Sequence, residues 1–494
     1  MSARVRKRRL IALGALMLLA AIVVVATARR SGDDGAPGAG SDAIGDTRRV
    51  TLVDRDGDGS LRRGRGEPLR DRTTLAPAVT PGKVLATFGQ ITDAHVRDEE
   101  SPALVGFLDR LGGPFRSTFR PHETLTTQVL DAAVRSLNTA RPGTVIVTGD
   151  LIDNNQRNEL QMALSALDGG TVRPDSGARG YDGPQLASNP DPSYYRPAVD
   201  PPQQPGLLDA AQRGFRSQGL RAPWWSVTGN HDLLVSGEIA TTPRLQAVAK
   251  GGEALVKPPR DLPIPRDESA LAGGVDALLT DGLPGTTTPR PADPARAQLT
   301  AAEVLDKLRA TGHGRGSGPS LDYTIDLGPA VRAIVLDTVR RDRGSGGLLR
   351  AQTLSFLRRQ LAAAGTRWVV VFSHQPLATA SGGDAALALL DSEPRVLATV
   401  AGHTHRNRIT ARATRAGGYW QLTTASLVDF PQQARMLRIR ETPGDGAVIE
   451  TWMLDTARAA LSDSARSLAF LDAQGGRPHR ARGRLADRNV RLFR

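Results

Sequence analysis

The chain has 494 residues, 39% hydrophobic and 23% charged, which is ample material for a large core and rules out disorder over the whole length. Its formal charge of +13 sits at the ends: residues 1–30 carry seven basic and no acidic side chains, and 456–494 carry nine Arg against three Asp, so the body between is neutral and gives no support to nucleic acid as an obligatory partner. Cysteine is absent, which excludes disulfides, thiolate ligands and a cysteine nucleophile; any metal must be held by nitrogen and oxygen.

Arg4, Arg6, Lys7, Arg8 and Arg9 precede an uncharged apolar run from Leu10 to Ala28, the pattern of an export signal. As a helix the run is about 28 Å long, and Ala26-Thr27-Ala28 offers a small-residue cleavage site, so residues 1–30 read either as a cleaved signal peptide or as a retained membrane anchor. Both readings place the rest of the chain outside the cytoplasm, secreted or held at the membrane by the N-terminal segment. Residues 31–47 read as a flexible linker. Asp54 to Gly59 copies the first half of a calcium loop, but Arg65 stands where a bidentate Glu is needed, so a polar turn between two short extended segments is expected.

From Lys83 onward, short apolar runs rich in β-branched residues alternate with amphipathic stretches, the pattern of an α/β fold. Strands are predicted at 84–92, 144–149, 224–229, 368–373 and 396–402, and helices at 124–138, 156–167, 351–363 and 385–390. After Arg406 the runs 408–413, 419–424, 435–440 and 448–454 read as strands joined by short turns, an antiparallel set. Two stretches crowded with Pro, Gly, Asp and Ser, at about 169–219 and 233–320, break the rhythm and read as long loop insertions. One catalytic domain is therefore expected over 48–455, followed by a solvated basic tail at 456–494.

The five predicted strands before Arg406 end alike, in Asp93-Ala94-His95, Gly149-Asp150, Gly229-Asn230-His231-Asp232, Ser373-His374 and Gly402-His403-Thr404-His405. In open α/β sheets ligands bind at the carboxyl ends of strands, so these groups are placed to converge on one crevice. The glycines let the backbone turn off each strand and let side chains approach a common point. Asp, His and Asn supply donors suited to Mn, Fe or Zn, and Asp-x-His and His-x-His put two donors on one side of an extended segment. Two divalent ions about 3.5 to 4 Å apart, bridged by a carboxylate, would hold a hydroxide for in-line attack on a phosphoryl group, with no separate protein base. A lone His after a strand is more often structural than a ligand. Here five of the eight His fall in these blocks, leaving His122, His313 and His479 outside.

The ordered blocks, spanning Asp93 to His405, resemble the DxH, GDxxD, GNH(D/E), H and GHxH blocks of the calcineurin-like metallophosphoesterase superfamily. The resemblance implies a four-layer αββα sandwich, with the strands after Arg406 similar to its second sheet. It implies one metal held by Asp93, His95 and His405, a second by Asn230, His374 and His403, and Asp150 bridging them. His231 would stabilise the transition state or protonate the leaving oxygen, and Asp153 and Asp232 would orient the ligands from behind. Asp153 stands where the purple acid phosphatase branch has a tyrosine, which disfavours that branch. More narrowly, the leader, the insertions and the stretches 173–177, 429–435 and 471–477 resemble an actinobacterial family of exported metallophosphoesterases.

The function expected is an exported dinuclear-metal hydrolase of phosphate esters. An extracytoplasmic nuclease is opposed by the neutral body, and a catalytically silent surface-binding protein by the complete donor set. The blocks do not choose among monoester, diester and pyrophosphate; the insertions are the expected place of choice. Trp224-Trp225 reads as core packing, whereas Asp429-Phe430-Pro431-Gln432-Gln433 fits equally a turn and a segment reaching the site.

Overall fold

The runs Thr144–Thr148, Trp368–Phe372 and Val396–Ala401 are buried at every residue, as only strands covered on both faces can be. Alternation decides which face each side chain joins. In Trp368–Phe372, Val370 and Phe372 belong to the large central core, while Val369 and Val371 belong to a separate cluster under the helices. A computed structural model describes residues 45–111, 115, 117–259, 268–474 and 481–494, and residues 1–30 with their export reading lie outside these.

Two sheets carry the architecture. The larger has seven strands in the order Arg70–Arg72, Val490–Phe493, Gly446–Asp455, Gln433–Thr442, Val84–Ile91, Thr144–Thr148, Trp224–Val227. The smaller has six, in the order Tyr323–Gly328, Val331–Val335, Trp368–Phe372, Val396–Ala401, Tyr419–Thr423, Arg408–Arg412. Their inner faces meet through contacts such as the Phe88 and Phe372 rings, edge to face at 5.8 Å. Helices Thr126–Ala140, Arg157–Asp168 and Ala460–Gln474 lie on the larger sheet's side, and Ala351–Ala362 and Gly383–Asp391 cover the outer face of the smaller one. The result is the α/β arrangement expected, helix, sheet, sheet and helix in layers.

Several expectations are corrected. The strands after Arg406 do not form one antiparallel second sheet: Tyr419–Thr423 pairs parallel with Val396–Ala401 in the smaller sheet, while Gln433–Thr442 pairs with Val84–Ile91 in the larger. Alternation identifies a strand's faces and not its neighbours. The basic stretch 456–494 is no solvated tail, since Ala460–Gln474 packs on Thr126–Ala140 and Val490–Phe493 inserts between two strands of the larger sheet. Its arginines had disguised it; Arg466 is buried against Thr456, and Arg488 is buried and bonded to Glu67. The linker expected over 31–47 ends earlier, because Thr47 is buried and its hydroxyl donates to the Met453 carbonyl at 2.8 Å.

The described residues of the insertions carry secondary structure of their own. Residues 233–320 contain helices Pro243–Lys250, Glu268–Thr280 and Ala301–Ala310 and a two-stranded ribbon, and 169–219 holds another ribbon with helix Leu207–Ala211. Helix Ala301–Ala310 starts on a capping box, Glu303 N donating to Thr300 Oγ1 and Thr300 N to Glu303 Oε2. The aspartates at 54–58 form the expected polar turn, with Arg62 paired to Asp56 and Asp58. Among the described residues no helix is long and apolar enough to cross a membrane.

Candidate metal centre

The donors sit just past the carboxyl ends of parallel strands from both sheets, and the backbone there is strained. Asp93, His95, Asp150, His403 and His405 all hold left-handed φ angles, between 45° and 65°, without being glycine. Such residues cost on the order of 1 kcal/mol each and persist where their surroundings over-determine them. The surroundings here are backbone bonds running from loop to loop: Asp93 N to Gly149 O at 3.0 Å, His95 N to Asp150 O at 3.0 Å and Gly402 N to His374 O at 3.0 Å. Two glycines are fixed by contact. A Cβ on Gly149 would overlap His374 Nδ1, and one on Gly402 would overlap Thr92 Oγ1 and Asp93 Oδ2.

This framework gathers two donor sets that share Asp150, and a third in which His95, Asp153 and His231 offer ligand atoms within 4.8 Å of one another. Asp93, His95, Asp150 and His405 offer ligand atoms within 4.8 Å of one another, as do Asp150, His374 and His403, so Asp150 belongs to both. Asn230 joins the second set, its Oδ1 lying 3.1 Å from His374 Nε2. All seven residues expected as ligands are therefore brought together.

The chemistry of the donors tests whether they suit metal ions. His95 Nδ1 and His405 Nδ1 donate to carboxylates, Asp153 at 2.7 Å and Asp429 at 2.6 Å, and His374 Nδ1 donates to the Thr148 carbonyl at 2.8 Å. That fixes the tautomers and turns three Nε2 lone pairs inward. His95 Nε2 then lies 3.2 Å from His405 Nε2, which is 3.3 Å from Asp93 Oδ1, and His374 Nε2 is 3.0 Å from Asp150 Oδ2. Acceptors converge on acceptors, which is favourable only with cations between them. Two of the four imidazoles say the same, whereas burial pushes His95 down and His403 down to about 4. Burial pushes His374 and His405 down, but Asp150 raises the first to about 9, and Asp429 and Asp93 raise the second to about 10. Protons thus take the cation positions in the metal-free chain, and the residues fit a pair of divalent ions.

His231 stands at the edge of this group. Its N–H donates to Asp150 Oδ1 at 2.8 Å, its Nδ1 donates to the Asp153 carbonyl at 2.7 Å, and its ring meets His95 edge to face at 4.6 Å. Like His403 and His405 it is partly exposed, and it lines a cavity of about 460 Å³. Asp153 supports His95, as expected. Asp232 works through backbone instead, accepting from Leu151 N, Ile152 N and Gly229 N and so tying the Asp150 loop to the Asn230 loop.

Four residues had no sequence signal strong enough to assign them. Asp429, one of two open readings, proves to reach the site and is wholly buried behind His405. Arg120 Nε donates to Asp429 Oδ1 at 2.7 Å, and Arg97 Nη1 lies 3.2 Å from Asp153 Oδ2. Glu123 joins the two arginines, at 2.8 Å from Arg97 and 3.7 Å from Arg120. Burial opposes ionisation of Asp429, yet Arg120 and His405 hold it well below the usual carboxylate range. Of the remaining histidines, His122 is buried and bonded to the Val428 carbonyl, and His313 stacks on Trp224, itself a core residue as expected. His479 lies outside the described residues.

No protein-family model matches the chain, and no curated protein matches it. Similar solved structures include a dimetal phosphatase from Danio rerio, 15% identical, with 76% of this chain and 100% of that one covered and a TM-score of 0.39. PhoD is 10% identical, covering 83% of this chain and 79% of its own at a TM-score of 0.33. A purple acid phosphatase from yellow lupin seeds is 10% identical, covering 80% and 54% at a TM-score of 0.33. At these identities and scores the likenesses carry no argument about chemistry, which rests on the donor geometry.

Proposed function

We propose that this protein is a metal-dependent hydrolase of phosphate esters that works outside the cytoplasm. The observation that carries the proposal is Asp150, one buried carboxylate shared by two converging donor sets. Asp93, His95 and His405 would hold one divalent ion, Asn230, His374 and His403 the other, with Asp150 between them. Bound there, the ions supply a water of lowered pKa and neutralise charge on the phosphoryl oxygens.

The chain's own contribution is orientation and proton transfer. Asp153 and Asp429 hold His95 and His405 with Nε2 toward the site, and the backbone clamp at Asp232 keeps Asp150 and Asn230 in register. His231, anchored through Nδ1 and lining the cavity, would meet the leaving oxygen from that side. The export reading rests on the basic and apolar pattern of residues 1–30, and the finer likeness to exported actinobacterial enzymes on the leader, the insertions and three short stretches. The experiment is metal analysis of the purified protein coupled to hydrolysis of mono- and diester substrates. Turnover that follows divalent metal content is expected, and a metal-loaded protein inert toward every phosphate ester would reject the proposal.

A further inference from the structure

The cavity beside His231 is lined by none of the seven donors and joins the site through His231 and Asp153. These two and Ser236 make one side polar. The other is apolar and is built by two segments that meet only here. Leu104, Val105, Leu108 and Phe115 come from the loop after the Asp93 block, and Val275 and Leu279 from helix Glu268–Thr280 of the insertion. All but Leu104 belong to a hydrophobic cluster separate from the central core. The insertion therefore has a small core of its own, and a hollow in that core opens beside His231. A volume of about 460 Å³ lies within the roughly 300–1,000 Å³ of small-molecule sites.

The charges lining this hollow are one-sided. Among the described residues the carboxylates are Asp153, Glu238 and Asp276, and the one cation is Arg97, already committed to Glu123 and Asp153. A wall of this kind favours apolar surface and repels anions.

Resting on the phosphoesterase reading, we infer that this cavity receives the leaving alcohol, and that the preferred substrates are phosphate esters of apolar, uncharged alcohols. A polyanionic leaving group, as in pyrophosphate, polyphosphate or a nucleic-acid strand, would meet Asp153, Glu238 and Asp276, with no uncommitted cation among the described lining residues. His231 stands where the polar and apolar walls join, so an alcohol seated in the hollow presents its ester oxygen to that imidazole.

The test compares ethyl, octyl and ω-carboxyoctyl phosphate, each as monoester and as methyl diester, with the metal-loaded full chain. Leaving-group basicity is nearly constant across the three, so the apolar reach and its charge are the variables. Octyl phosphate is expected to exceed ethyl phosphate at least tenfold in kcat/KM, and the terminal carboxylate to cancel the gain. Leu104→Ser, at a half-buried position that tolerates a polar group, should lower the octyl-to-ethyl ratio of kcat/KM severalfold. Val275→Asp should remove it. Binding of octanol itself, measured by calorimetry on wild type and Leu104→Ser, reads the cavity without any hydrolysis. Octanol binding that weakens in the variant, with no ester hydrolysed, would sustain the cavity and sink the phosphoesterase reading. Hydrolysis with equal octyl and ethyl rates, or faster cleavage of pyrophosphate or DNA than of octyl phosphate, would overturn the inference and leave that reading intact.

Discussion

Asp429 accepts a hydrogen bond from His405 Nδ1 at 2.6 Å, and its other oxygen accepts from Arg120 Nε at 2.7 Å, with Asp429 and Arg120 in the interior and His405 partly exposed. The residue is 24 positions from His405 in sequence and comes from the turn before strand Gln433–Thr442 of the other sheet. Arginine, carboxylate and imidazole form a line that ends at the metal site, and Arg97, Asp153 and His95 form a second. Partners of this kind fix a ligand's tautomer and raise its basicity.

Asp429→Asn should therefore weaken metal binding at the Asp93, His95 and His405 set by about 10- to 100-fold, while the Asn230, His374 and His403 set keeps its affinity. It should also destabilise the fold by about 3 kcal/mol, because the buried Arg120 charge keeps only Glu123, 3.7 Å away. Metal titration by calorimetry and urea denaturation check the two effects separately. Equal loss at both sets would show that Asp429 supports the fold generally and not His405 in particular.

Gly402→Ala adds a methyl where Thr92 Oγ1 and Asp93 Oδ2 already lie. We expect a loss of about 1–3 kcal/mol from overpacking, together with displaced Asp93 and weaker metal loading. Gly273→Ala, whose added methyl meets nothing within 4 Å, is the control and should leave both quantities near wild type. Normal metal content in Gly402→Ala would show that the loop relaxes without disturbing the donors.

In the metal-free protein, His374 and His405 have folded pKa values of about 9 and about 10, above the roughly 6.5 of an unfolded histidine. A raised folded pKa contributes stability that is fully present below about pH 6.5 and is lost as pH climbs through 9 to 10. Melting temperatures of stripped protein should fall across that window. Loading at pH 8 should release about two protons per chain from these imidazoles, measurable by calorimetry in buffers of different ionisation enthalpy. Proton-neutral metal binding would contradict the assignment of both Nε2 atoms as ligands.

His231→Ala should retain metal, since His231 is not among the seven ligands assigned to the two ions. Rates should fall by about 10²–10⁴ for alkyl esters and by less for nitrophenyl esters, whose leaving oxygen needs no proton. Steady-state kinetics on both substrates, with metal content measured in parallel, separates the two effects. A uniform loss across leaving groups would remove the proton-transfer role.

The donor set was legible in the sequence because each block ends a strand, three of the five behind a glycine, and such local signals survive in one dimension. The paired Thr300 and Glu303 carried an equally local signal, a capping box, hidden by the Pro and Gly around it. Strands Tyr323–Gly328 and Val331–Val335, just past that stretch, were not assigned from the sequence. Sheet membership was not legible, because Tyr419–Thr423 and Gln433–Thr442 alternate alike and go to different sheets. Nor were Arg97, Arg120 and Glu123, whose pairing with Asp153 and Asp429 exists only in three dimensions. The stretch 456–494 misled for a chemical reason. Nine arginines suggest solvent, yet Arg466 and Arg488 bury their stems and satisfy their heads within the fold.

The central claim is that Asp150 ties two divalent ions into one site. Metal content per chain, measured on wild type and Asp150→Asn after equilibration with Mn, Fe or Zn, tests it most directly. The account predicts two ions in wild type and loss of both in the variant, with the circular dichroism spectrum unchanged. A wild-type chain that holds no divalent ion, or an Asp150→Asn chain that still holds two, would contradict it.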